Sequence, residues 1–122
     1  MKKILTLVFC MFVFCINTSA KETTYNKVDF EKALSEGKVV VVSSWIKYCT
    51  SCASQMKVLN KAVNEFKNIE YFAFDVTNKE IANSFNVQYQ TTLLIFKNGK
   101  EVYRSIGETS KDLIYKAINS SI

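Results

Sequence analysis

Cys49 and Cys52 are separated by two residues, Thr50 and Ser51. Two thiols at this spacing suit either dithiol–disulfide exchange or metal binding. A bridge between them closes a very small loop and adds little to fold stability, so a purely structural disulfide is the weaker reading. The segment Trp45-Ile46-Lys47-Tyr48-Cys49-Thr50-Ser51-Cys52 follows a β-branched run and opens a long amphipathic pattern. The pair is therefore expected at the N-terminus of a helix. A thiolate there faces unpaired backbone N–H groups and the positive end of the helix dipole, so its pKa falls below the free value of about 8.5. Cys49 comes first and is expected to be the more exposed nucleophile. Cys52, one turn further on the same side, is placed to attack a mixed disulfide on Cys49 and release the product. Thr50 and Ser51 can add hydroxyl hydrogen bonds near the sulfurs.

The rest of the composition narrows the chemistry. The chain has 122 residues, four cysteines, no histidine and no proline. Its length fits one compact domain, and an apolar content of 48% fits a globular chain. Without histidine there is no Ser-His-Asp or Cys-His arrangement and no imidazole ligand for zinc. The net charge is +5, and all basic residues except Arg104 are lysines spread along the chain. Nucleic acid is therefore not an expected partner, because the bidentate arginine readers and a basic groove are both missing.

Residues 1–20 read as a cleaved secretory signal peptide. Lys2 and Lys3 precede an apolar run from Ile4 to Ile16 broken only by Thr6, and Asn17-Thr18-Ser19-Ala20 supplies small residues for a cut after Ala20. The run is shorter than the roughly 20 apolar residues of a membrane span. Bulky Phe9 and Phe14 before Cys10 and Cys15 argue against a lipid anchor. Removing the leader leaves residues 21–122 with 14 basic and 11 acidic residues and only Cys49 and Cys52. The expected location is across the inner membrane, in the periplasm or another extracytoplasmic space, where a CxxC pair meets an oxidising environment.

Residues 21–122 form one expected domain. Helical spacing appears at Val28–Ser35, and Val39–Val42 reads as a strand buried on both faces. Trp45–Thr50 reads as a loop. From Cys49 to Phe66, the positions Ala53, Met56, Leu59, Ala62, Val63 and Phe66 share one helix face. Ile69–Val76 reads as a second strand, and Thr77-Asn78-Lys79-Glu80 has a capping-box pattern opening a short helix that ends near Phe85. Thr92–Lys97 and Lys100–Ile106 flank the hairpin turn Asn98-Gly99. Ser110 can cap a last helix whose expected buried face holds Leu113, Ile114, Ala117 and Ile118. The order α-β-α-β-α-β-β-α predicts an α/β fold with a central mixed sheet flanked by helices on both faces.

From about Val28 to Ile118 the chain resembles thioredoxin. The matching stretches are Val39–Val42 before Trp45, Cys49-Thr50-Ser51-Cys52, Thr92–Lys100 with its Asn98-Gly99 turn, and Gly107 before the last helix. The resemblance implies the thioredoxin fold and a thiol–disulfide oxidoreductase in which Cys49 attacks and Cys52 resolves. It implies no cofactor beyond a redox-active disulfide Cys49–Cys52. It also implies that Trp45, Tyr48, Gln90, Thr91 and Gly107 surround the cysteines and contact protein substrates, although Trp45 and Tyr48 also read as ordinary core or rim aromatics.

Three departures from the family stand out. Thr91 stands where thioredoxins carry a cis-proline. A cis bond before a non-proline residue costs about 3–4 kcal/mol, so the Gln90–Thr91 peptide is either trans in a reshaped loop or a strained cis bond. Ser43 stands where the family buries an aspartate and cannot act as a base at neutral pH; water or a lysine such as Lys57 is the alternative. Thr50-Ser51 replaces Gly-Pro, which leaves the redox potential open. The expectation is a monomeric reductase serving cysteine-containing exported proteins, with a membrane electron donor or acceptor behind it. Rival readings are a disulfide oxidase or isomerase, a metal or iron–sulfur module needing two chains or small-molecule ligands, and a non-catalytic binding module.

Overall fold

The computed structural model describes residues 24–122, so the expected leader lies outside the described residues. The elements are α1 (Lys27–Ser35), β1 (Val39–Trp45), α2 (Thr50–Glu65), β2 (Ile69–Asp75), α3 (Lys79–Ser84), β3 (Thr92–Lys97), β4 (Lys100–Ile106) and α4 (Lys111–Ser121). The sheet order is β2-β1-β3-β4. This is the thioredoxin fold, a mixed four-stranded sheet with helices on both faces.

Helix length explains the strand directions. The 16 residues of α2 rise about 24 Å, enough to return along a seven-residue strand of about 23 Å. β2 therefore starts beside the beginning of β1 and pairs with it in parallel. The six residues of α3 rise only about 9 Å. The chain stays at the same end of the sheet, and β3 runs back antiparallel to β1. β4 returns antiparallel through Asn98 and Gly99, both at positive φ as a two-residue hairpin turn requires. The C-terminal ends of β1 and β4 and the start of β3 thus meet at one edge of the molecule.

Alternation along β1 builds the two cores. Val40 and Val42 join Phe30, Phe72, Phe74, Phe85 and Leu94 beneath α1 and α3. Val39 and Val41 join Leu59, Leu93, Ile95, Ile114 and Ile118 beneath α2 and α4. A smaller cluster of Trp45, Cys52, Met56 and Ala73 closes the active end.

Four local expectations change. β1 continues through Trp45, so the loop begins at Ile46. β2 ends at Asp75 rather than Val76. The cap of α3 is Asn78, whose Oδ1 accepts from Ile81 N–H at 3.3 Å; Thr77 instead donates its backbone N–H and its hydroxyl to Asp75 Oδ1. Leu113 is 52% exposed, because the inward face of α4 follows Ile114, Ile118 and Ser121 at spacings of four and three.

Candidate active site

β1 carries the chain to Trp45 at the end of the sheet, and four residues later Cys49 caps α2. The turn is made at Tyr48, which lies at φ +63° and is 95% exposed. Cys49 has extended backbone angles, as a cap requires, and its Sγ accepts the N–H of Cys52 at 3.2 Å. The two cysteines form a disulfide with Cα atoms 5.3 Å apart. Cys52 is 1% exposed, while Cys49 is only partly buried. Cys49 is therefore the sulfur a substrate can reach, and Cys52 sits behind it.

Thr91 lies directly over the bridge. Its Oγ1 is 3.1 Å from Cys52 Sγ, 3.6 Å from Cys49 Sγ and 2.9 Å from Ser51 Oγ. Ser51 Oγ is in turn 3.3 Å from Cys49 Sγ. The Gln90–Thr91 peptide is trans, and Thr91 adopts φ +58°. A β-branched residue in that region is strained by about 1–2 kcal/mol. Three hydrogen bonds hold it there. Its N–H donates to Ser44 O at 2.9 Å, and its carbonyl accepts from Gly107 N–H at 2.9 Å and from Gln55 Nε2 at 3.2 Å. Gln90 beside it is exposed.

Two residues in this frame were not singled out by sequence. Ser44 is buried; its Oγ donates to Tyr89 O and accepts from Thr92 N–H, pinning the loop before β3. Gln55 is fully buried and its Nε2 donates to Thr91 O and Glu108 O, tying two loops to α2. Its position on the same helix face as Cys52, Met56 and Leu59 was the available signal, a polar residue on an apolar stripe. Among the described residues, Gln55 Oε1 and Trp45 Nε1 are buried with no hydrogen-bond partner.

The other expected residues divide by position. Trp45 is 6% exposed and packs with Cys52 and Met56 in the wall beneath the bridge. Tyr48 and Gly107 lie at the exposed rim, as does Thr50 in the first turn of α2. Ser43 is buried one strand position before Ser44 and shares a 2.7 Å hydrogen bond with the Tyr71 hydroxyl. Burial pushes the Tyr71 phenol up to about 12, partly offset by that hydrogen bond. The place of the family's acid thus holds two neutral hydroxyls at physiological pH. Lys57 is on the exposed side of α2. Among the described residues no cluster of three or more His, Cys, Asp or Glu is placed to hold a metal ion.

The comparisons with known proteins agree with this geometry. The family model described as Thioredoxin matches residues 21–120. Thioredoxin-1 of Saccharomyces cerevisiae is 30% identical over 80 residues, covering 65% of this chain and 78% of its own. The thioredoxin of Mycoplasma genitalium is 30% identical over 91 residues, covering 74% and 89%. Among solved structures, Trxlp from Edwardsiella tarda superposes with a TM-score of 0.72 at 29% identity, covering 76% of this chain and 93% of that one.

Proposed function

The chain belongs to the thioredoxin family and is a thiol–disulfide oxidoreductase, and from that premise we propose that it is exported and reduces disulfides of other exported proteins. The observation that carries the exchange chemistry is the pairing of an accessible Cys49 with a buried Cys52 at the start of α2. Attack by the Cys49 thiolate on a substrate disulfide forms a mixed disulfide and expels one substrate thiol. Attack by Cys52 on Cys49 then releases the second thiol and leaves the Cys49–Cys52 bridge. Exposed Tyr48, Gln90 and Gly107 supply the rim against which a cysteine-containing protein docks, with Trp45 as the wall behind.

Export rests on the Lys2-Lys3 start, the Ile4–Ile16 run and the small residues before Lys21. The reducing direction rests on the small size of the domain, which has no inserted substrate-binding domain between its elements. Outside the cytoplasm the bridge needs re-reduction, so a membrane-bound dithiol donor is the partner on the other side. The full chain expressed in a bacterial host should appear outside the cytoplasm with Lys21 as its first residue. A Cys49–Cys52 potential near −270 mV fits the reductase, and one near −120 mV makes the protein an oxidant instead. Retention of Met1 in the cytoplasmic fraction would rule out export.

A further inference from the structure

We infer that the hydroxyls of Thr91 and Ser51 form a proton relay that carries the thiol proton of Cys52 to the substrate sulfur leaving Cys49. The four atoms stand in a chain. Cys52 Sγ is 3.1 Å from Thr91 Oγ1, which is 2.9 Å from Ser51 Oγ, which is 3.3 Å from Cys49 Sγ. Each hydroxyl carries one proton to donate and two lone pairs to accept with. The sulfurs of the bridge are acceptors only. The pair therefore has two orientations, one with Ser51 donating to Thr91 and Thr91 to Cys52, the other with Thr91 donating to Ser51 and Ser51 to Cys49. The same two hydroxyls can serve whichever sulfur holds the excess electron density.

The chemistry balances without another reactant. In the mixed disulfide, Cys49 is bonded to the substrate sulfur and Cys52 is a thiol. Cys52 donates its proton to Thr91, Thr91 passes its own to Ser51, and Ser51 passes its own to the substrate sulfur. The Cys52–Cys49 bond forms as the Cys49–substrate bond breaks with its electron pair on the substrate sulfur. Both hydroxyls finish with one proton each, the substrate leaves as a thiol, and the two cysteines have been oxidised by two electrons.

Two further observations favour this route. Tyr71 packs against the cluster that holds Cys52 and shares its hydroxyl with Ser43, so the pair on that side is neutral and offers no carboxylate to take the proton. Thr91 is also kept at φ +58° by bonds from β1, α2 and the loop after β4, an outlier that places its hydroxyl against both sulfurs.

The test is single-turnover release of a small thiol from Cys49 in the otherwise reduced protein. One mixed disulfide carries an alkyl thiol, which must take up a proton as it leaves. The other carries thionitrobenzoate, which leaves as a stable anion. Thr91→Val and Ser51→Ala are each expected to slow alkyl-thiol release by at least about tenfold, and Thr91→Ser to restore it. Thionitrobenzoate release is expected to slow less than alkyl-thiol release in Thr91→Val and Ser51→Ala, since Cys52 still gives up its proton there but can lose it to solvent, and none has to reach the leaving sulfur. Alkyl release at the wild-type rate in Thr91→Val and Ser51→Ala overturns the relay. So does equal slowing with both leaving groups, which would mean that the side chains only position the bridge. Ser51 is exposed in the first turn of α2, so Ser51→Ala decides the matter even if Thr91→Val fails to fold. The inference rests on dithiol exchange, and failure of that reading is distinct, since the wild type itself would then release neither thiol.

Discussion

The side-chain nitrogen of Gln55 lies 3.2 Å from the carbonyl oxygen of Thr91, joining the helix that begins at the cysteines to the loop that covers them. The same nitrogen reaches Glu108 O at 2.8 Å. Gln55→Leu keeps the bulk but leaves the Glu108 carbonyl without this donor and Thr91 with only the Gly107 N–H. Loss of a buried partner costs about 1–3 kcal/mol. Urea denaturation of wild type and variant measures it, and a variant as stable as wild type would show that the clamp is dispensable.

Thr91→Pro tests the loop geometry. Proline is locked near φ −65° and has no N–H, whereas Thr91 sits at φ +58° and donates to Ser44 O. Although the family places proline here, this loop has to be rebuilt to accept it. The variant is expected to lose about 2–3 kcal/mol relative to wild type. A rise in melting temperature would show that the loop moves to the family's arrangement at little cost.

Much of this architecture was legible in the sequence because it is written in periodicity. The Val39–Val42 run, the α2 stripe and the Asn98-Gly99 turn each have one physical solution. The Cys49–Cys52 spacing before that stripe located the chemistry. The support around the bridge was less legible. Nothing in the type of Thr91 announces a positive φ, since β-branched residues avoid it. Ser44 reads as a small strand residue until Tyr89 and Thr92 are brought against it. Tyr71 lies 28 positions from Ser43, and only the parallel β1–β2 register brings the two hydroxyls together. Leu113 shows the opposite failure, where apolar type suggested burial and helix phase put it outside.

Tyr71 makes stability fall in strong base. Its folded pKa is raised to about 12 from an ordinary 10, so the folded chain holds this proton more tightly than the unfolded one. The contribution is fully present below pH 10 and is lost as pH rises through about 12. The loss amounts to about 2–3 kcal/mol. Tyr71→Phe removes that pH dependence while leaving the Ser43 hydroxyl without its partner. Denaturation midpoints between pH 8 and 12 in the two proteins report the difference, and parallel profiles would refute the assignment to Tyr71.

The division of labour between Cys49 and Cys52 is tested most directly by mixing the dithiothreitol-reduced protein, freed of excess reductant, with a disulfide-bonded protein substrate. Wild type is expected to convert substrate disulfide to thiol and end as the Cys49–Cys52 bridge. Cys52→Ser should stop at one equivalent of mixed disulfide on Cys49, and Cys49→Ser should show almost no reduction. Reduction by Cys49→Ser at the wild-type rate would contradict the account.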